Sequence, residues 1–165
     1  PFKTDLPQGC GPRHITFSPD SKHAYVITEL SDEVIAFDYD AESGNLVQKQ
    51  VVKASDDGAR GGAEIEVSPD GKFLYASVRL KNDGVAIFQI NPDGTLKKTG
   101  YQKTGKHPRM FKISPNGKFL LVACKDDNVI QVYERNAETG ELTNTEKDIK
   151  LSHPACIAFG EAVPW

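Results

Sequence analysis

Cysteine is scarce in this chain of 165 residues: only Cys10, Cys124 and Cys156 are present. Three scattered thiols supply neither a disulfide framework nor a Cys-x-x-Cys metal site, and an odd count favours reduced thiols and therefore the cytoplasm. No apolar run approaches the about 20 residues that cross a bilayer as a helix, so no membrane partner is expected. No long block of like charge interrupts the 20 basic and 23 acidic residues, whose formal net charge is -3. A phosphate-binding face needs concentrated basic charge, so nucleic acid is not an expected partner either. No segment keeps an apolar period of 3.6 residues, which removes helical architectures. No His/Cys cluster has zinc spacing. The pairs Asp56-Asp57 and Asp126-Asp127 lack calcium-loop spacing and read as solvated loop acids. Gly9-Cys10-Gly11 leads into a strand where a dinucleotide fingerprint requires a helix. The expectation is a site with no metal and no cofactor.

What is plentiful is turns, with 14 Gly and 10 Pro, and they recur in register. Phe17-Ser18-Pro19-Asp20-Ser21-Lys22 returns as Val67-Ser68-Pro69-Asp70-Gly71-Lys72 and as Ile113-Ser114-Pro115-Asn116-Gly117-Lys118, the serines 50 and then 46 residues apart. Gly44-Asn45-Leu46, Gly94-Thr95-Leu96 and Gly140-Glu141-Leu142 each follow 26 residues after the serine. Within a repeat, four short segments read as strands. The first alternates (Ile15/Phe17, Ile65/Val67, Phe111/Ile113), as a pleated strand does. The second and third are β-branched and aromatic, and the fourth is more polar, as an outermost strand would be. Four antiparallel strands in 40 to 50 residues is the pattern of a β-propeller blade, with a sandwich or solenoid as the alternative. The fold class is therefore all-β. Three four-stranded blades are expected at 11–53, 61–103 and 107–150, and 154–160 is expected to be the innermost strand of a closing blade.

Closed propellers have 4–8 blades. Three blades and one strand are expected to be part of a ring about twice this length. Blade faces left bare at the ends, built from residues such as Ile15, Phe17, Tyr25 and Phe37, would then favour self-association or pairing with the N-terminal half of the same propeller.

Hairpin register nominates a site. With the first turn centred near Asp20, Arg13 is expected opposite Glu29, Ala63 opposite Arg79, and Arg109 opposite Lys125. The next position along the first strand carries His14, Glu64, Met110 and Cys156. Innermost strands surround the axis, so these side chains are expected at one mouth of the channel. Arginine offers a planar fork for carboxylate or phosphate. Glu29, Glu64 or neutral His14 are candidates to position or deprotonate a water, and an arginine to stabilise an oxyanion. Salt bridges between blades explain such charges as readily, although the residues differ from blade to blade where purely structural positions tend to repeat. His23, just after a turn, reads as solvated; His107 and His153 precede prolines and read as shaping the start of a strand.

Gly11-Pro12-Arg13-His14-Ile15-Thr16-Phe17-Ser18-Pro19-Asp20, followed by Ala24-Tyr25-Val26-Ile27-Thr28-Glu29-Leu30, resembles the lactonase family of seven-bladed propellers. Ala63-Glu64-Ile65 through Arg79 resembles the next blade of that family, and Pro108-Arg109-Met110-Phe111 and Pro154 to Phe159 resemble its last two. The resemblance implies catalytic roles for Arg13, Glu29 and Arg79, and substrate-binding roles for His14, Glu64 and Arg109, with no metal. It implies hydrolysis of a sugar-acid lactone, 6-phosphogluconolactone being the leading substrate. The alternatives are a muconate-type lactonizing cycloisomerase and a non-catalytic propeller that binds an anionic ligand or a protein. One departure stands out: Ser77-Val78-Arg79-Leu80 occupies a place where the family often has Ser-Asn-Arg-Gly.

Overall fold

The computed structural model describes residues 3–160 except 57 and 59, so Asp57 lies outside the described residues. Twelve strands in three antiparallel sheets, plus a two-residue thirteenth, account for the repeats. The first sheet is β1 (Pro12–Phe17), β2 (His23–Thr28), β3 (Glu33–Asp40) and β4 (Asn45–Lys53), in that spatial order. The second is β5 (Gly62–Val67), β6 (Phe73–Val78), β7 (Gly84–Ile90) and β8 (Leu96–Lys103). The third is β9 (Pro108–Ile113), β10 (Phe119–Cys124), β11 (Val129–Arg135), β12 (Leu142–Asn144) and β13 (Ile149–Lys150). Both β12 and β13 pair with β11, so the outer strand of this blade is interrupted. The interruption turns at Glu146, whose φ is 59°.

The Ser-Pro-Asp turn is built the same way three times. In the second blade Ser68 Oγ donates to Asp70 Oδ1 at 2.5 Å and accepts the Phe73 N–H at 3.0 Å, while Asp70 Oδ1 accepts the Lys72 N–H at 3.1 Å. Ser18 with Asp20, and Ser114 with Asn116, repeat the set. A short polar side chain that satisfies nearby backbone groups makes the turn self-sufficient.

Burial follows the two-residue period of the strand. On β6, Leu74, Ala76 and Val78 face the first blade, where they meet Tyr25, Ile27 and Val34. Phe73 and Tyr75 face the third, where they meet Phe111, Leu120 and Tyr133. All six residues of β6 are buried, because each face of the sheet is covered by a neighbouring blade. The first strands lie side by side, β5 against both β1 and β9, and so line the inner edge.

Two expectations are corrected. Residues 154–160 form no strand and join no ladder; Ile157 N–H reaches Met110 Sδ at 2.9 Å, and Phe159 lies with Phe119, Leu121 and Val132 around a hollow of about 630 Å³. A strand is held by its ladder partners, and among the described residues this segment has none. The outer face of the first blade is also not bare throughout. Tyr25 is buried against the second blade, and Phe37 is covered with Val26 by Leu6, Tyr39 and Leu46; Ile15 and Phe17 alone of the four stay exposed.

The Gly-x-Leu turns join blades. Tyr25 Oη donates to Gly94 O at 3.1 Å, and Tyr75 Oη to Gly140 O at 2.9 Å. Gly44 and Gly140 share a φ of 76°, but a Cβ at Gly140 would lie 2.4 Å from the Phe73 ring whereas one at Gly44 meets open space. Gly44→Ala is expected to lose about 1 kcal/mol from the left-handed backbone alone. Gly140→Ala should lose about 1–3 kcal/mol more through the collision; urea unfolding of both variants measures the difference.

Arg135 Nη2 spans blades to Asp70 Oδ2 at 2.7 Å. Burial alone would raise the Asp70 pKa, but the Ser68 hydroxyl and Arg135 outweigh it and hold the carboxyl below its ordinary value. A depressed folded pKa contributes stability that is complete above the ordinary value near 4 and is lost as pH falls through the folded one. Asp70→Asn should therefore flatten the acid limb of a plot of stability against pH; an unchanged acid limb would remove Asp70 from the account.

Candidate functional site

The inner hairpins do not pair as symmetric counting from the turn predicts. In the first, Pro12 pairs with Thr28 and His14 with Ile27, so Arg13 is an extra residue; the Glu29 N–H donates to Gly11 O at 2.7 Å. In the second, Gly62 pairs with Val78 and Ile65 with Ala76, while Arg79 N–H meets Gly61 O. In the third, Pro108 pairs with Cys124 and Met110 with Ala123, leaving Arg109 extra. One β-bulge thus recurs at the same repeat position, and the expected backbone pairings Arg13–Glu29, Ala63–Arg79 and Arg109–Lys125 are each off by two residues, one from the turn and one from the bulge: Glu29 meets Gly11, Arg79 meets Gly61 and Lys125 meets His107. A bulge inserts a residue and re-aims its side chain.

The side chains nevertheless meet. Arg79 Nη2 donates to Glu29 Oε1 at 2.6 Å, and Arg13 Nε lies 3.8 Å from Glu29 Oε2, so one carboxylate spans two guanidiniums. Arg13 Nη1 also donates to Ala63 O at 2.5 Å, and Arg79 Nε to Gly61 O at 3.2 Å. His14 Nδ1 is 2.8 Å from Glu64 Oε1, and its Nε2 is 3.3 Å from Arg13 Nη1. The Arg79 side chain is 5% exposed against 44% for Glu29, so the anion is the accessible partner of a sunken cation. Burial, and then the charge of Arg79, depress the pKa of Arg13, with Arg109 adding to the effect and Glu29 and Glu64 opposing it. Three arginines therefore share one neighbourhood with two glutamates, an excess of positive charge that suits an anionic ligand. Arg109 enters through this field and is half-buried. Two clefts open beside the group: about 310 Å³ lined by Glu64, Met110 and Lys112 among others, and about 190 Å³ beside Arg13 and His14.

Two groups escape sequence reasoning. His107 shapes the start of β9, as expected, with φ at 57° before Pro108, but its ring also joins the site. Its Nε2 lies 3.3 Å from Arg79 Nη1 and its Nδ1 3.1 Å from Asp126 Oδ2. Asp126 is thus more than a solvated loop acid. The available signal was a break in the repeat: His107 stands where the first two blades have Gly11 and Gly61, and Asp126 where they have Leu30 and Leu80. His23 is corrected as well. Its side chain is 14% exposed, 3.3 Å from Asp38, and packs beside Gly94. Lys98 pairs with Asp56 at 2.9 Å, and Lys106 N–H with Asp127 Oδ2 at 2.7 Å. His153 is exposed, with its N–H on Asn128 Oδ1 at 3.0 Å.

The family description "Lactonase, 7-bladed beta-propeller" matches residues 1–159. The chain belongs to this family. It is 38% identical to the 6-phosphogluconolactonase of Bacillus subtilis (strain 168) over 156 residues, covering 92% of the chain and 44% of that protein. A crystal structure from Bacteroides uniformis superposes with a TM-score of 0.89 at 59% identity, over 92% of the chain and 44% of that structure. The periplasmic gluconolactonase PpgL of Pseudomonas aeruginosa does so with a TM-score of 0.90 at 31% identity, over 98% of the chain and 45% of that structure. The chain thus spans less than half the length of these lactonases. Among the described residues no helix is long and apolar enough to cross a membrane.

The departure from the family pattern beside Arg79 has a structural reading. Val78 is fully buried between the first two blades, so its side chain belongs to the core and a polar group there would not reach the site. Leu80 takes a φ of 76° with its side chain 66% exposed, a backbone that favours glycine, with little packing in return. Leu80→Gly should stabilise the protein by about 0.5–1 kcal/mol, relieving about 1–2 kcal/mol of left-handed strain against a smaller entropic loss. Thermal unfolding tests this, and a lowered midpoint would mean that the exposed side chain makes a contact worth more than the strain.

Proposed function

We propose that the intact protein hydrolyses a sugar-acid lactone, with 6-phosphogluconolactone as substrate. The observation that carries the reading is one carboxylate, Glu29, clamped between Arg13 and Arg79 at the inner edge of adjacent blades. Ester hydrolysis places negative charge on the carbonyl oxygen in the transition state, and preorganised guanidiniums stabilise it most where water is scarce. Arg13 and Arg79 take that role, and Glu29 holds both in place. His14, Glu64 and Arg109 bind the remainder of an anionic substrate, Arg109 through charge and the His14–Glu64 pair through hydrogen bonds to hydroxyls. The bulge supports this reading, because it turns Arg13 towards Glu29 and away from its own ladder.

The cytoplasm is the proposed compartment, since Cys10, Cys124 and Cys156 are all free and thiols stay reduced there. The Pseudomonas aeruginosa neighbour is by name periplasmic, and cell fractionation separates the two.

The decisive assay uses the full-length protein with 6-phosphogluconolactone and, in parallel, a carboxymuconate. Arg13→Ala and Arg79→Ala should each cut kcat for the lactone by about 100- to 1,000-fold, as for loss of one oxyanion donor. Turnover of the muconate alone would make the protein a cycloisomerase. Undiminished lactone hydrolysis in both variants would mean that the chemistry lies elsewhere.

A further inference from the structure

Two side-chain relays leave Glu29 in the same order, arginine, histidine, carboxylate. One runs Arg13, His14, Glu64 and the other Arg79, His107, Asp126. In each, an arginine Nη1 lies 3.3 Å from the histidine Nε2, and the carboxylate faces Nδ1. A guanidinium has only donors, so Nε2 presents its lone pair and the ring hydrogen sits on Nδ1, towards the acid. That carboxylate fixes the tautomer and stabilises an imidazolium once one forms. Each histidine is therefore oriented as a proton acceptor, with the lone pair of Nε2 capped by an arginine.

The two relays are not equivalent. The His107 side chain is 15% exposed against 42% for His14. Its backbone N–H is tied to Asp83 Oδ1 at 2.9 Å, and its φ of 57° lies close to the 65° that the first blade assigns to Gly11. A side chain held in a conformation that costs about 1–3 kcal/mol, at a site that charge already marks, points to use. Asp126, facing it, departs from the repeat as well, and the two departures hydrogen-bond to each other.

We propose that His107 is the proton acceptor of the lactonase reaction, capped by Arg79 in the free protein and released when an anionic substrate draws Nη1 away. The inference rests on the proposed hydrolysis for its chemistry. The guanidinium is a rigid fork, so Nη1 leaves His107 by a pivot of Arg79 about its short Nη2 bond to Glu29, in which the longer Nε bond to Gly61 O is given up as well. In the first step a water oxygen bonds to the lactone carbonyl carbon, one water proton passes to His107 Nε2, and the charge moves to the carbonyl oxygen beside the arginines. In the second, the oxyanion collapses, the bond between acyl carbon and ring oxygen breaks, and the proton on Nε2 goes to that ring oxygen. Lactone and water become one hydroxy acid, and neutral imidazole is restored. A free lone pair would thus exist only with an anion in place.

Two measurements on the full-length protein test this. The first is nitrogen NMR of the labelled histidines with 6-phosphogluconate as the anion probe. The His107 resonances, assigned by their loss in His107→Gln, should show hydrogen on Nδ1. Saturating probe should shift Nε2 towards an unbonded nitrogen, and Arg79→Gln should show that shift without probe. Hydrogen on Nε2, or no response to the probe, overturns the proposal. The second uses His107→Gly, which restores the residue type found at this repeat position in the first two blades and suits the left-handed φ that Gly11 shares. It should lower kcat by about 100- to 10,000-fold with KM nearly unchanged, and added imidazole should restore at least part of the rate. A structural role would give no rescue by imidazole, and full activity would dismiss His107 altogether. If the wild type hydrolyses no sugar lactone, the proposed function falls, while the NMR response still decides whether an anion uncaps His107.

Discussion

The rest of this structure depends on the burial of both faces of each sheet by the next. A four-stranded sheet exposed on either side would leave a row of aliphatic and aromatic side chains in water. Here Leu74 and Val78 turn to one neighbour while Phe73 and Tyr75 turn to the other. At about 25 cal/mol per Å² of apolar surface, this alternation is the largest favourable contribution available, since the described residues include no α-helix to pack. Polar joints fit around it: the tyrosine hydroxyls reach the Gly-x-Leu carbonyls of the next blade, and Arg135 reaches back to the turn at Asp70. Each tyrosine joint satisfies a hydroxyl that burial would otherwise strand, whereas Arg135 bonds Asp70 and Gly117 O but keeps its buried Nη1 without a hydrogen bond among the described residues.

The candidate site inherits its geometry from that packing. Arg79 of the second blade meets Glu29 of the first, His14 of the first meets Glu64 of the second, and His107 of the third meets Arg79. Its principal bonds thus cross from one blade to the next, so a change in blade packing would change the spacing of the charges. The recurrent bulge gives each inner strand one residue that its own ladder does not use. The first and third blades spend it on an arginine, and in the second it falls at Ala63–Glu64.

Much of this was legible in the order of residues. Strand positions follow from the alternation at Ile15/Phe17 and Ile65/Val67, because the pleat has a fixed period of two. The turns follow from Ser, Pro and Asp at fixed offsets, whose bonds are local. The gathering of Arg13, Glu29 and Arg79 was legible because charges that vary from blade to blade at one rung stand out against a repeat that otherwise conserves its residue types. His23 and Asp126 were misread for a shared reason. Their partners are 15 and 19 residues away at the nearest, and nothing local marks one polar residue of a turn for solvent and another for a neighbour.

By itself, then, the sequence determined the repeat, the strands, the turns and the end of each hairpin that carries charge, since all of these rest on interactions within one blade. Tertiary structure alone decided the register at the inner edge, where an extra residue in the ladder cannot be counted from the turn. It also decided that 154–160 stays unladdered among the described residues, and that His107 and Asp126 close on Arg79. These depend on which surface lies opposite, and no periodicity along the chain encodes the distance between two blades.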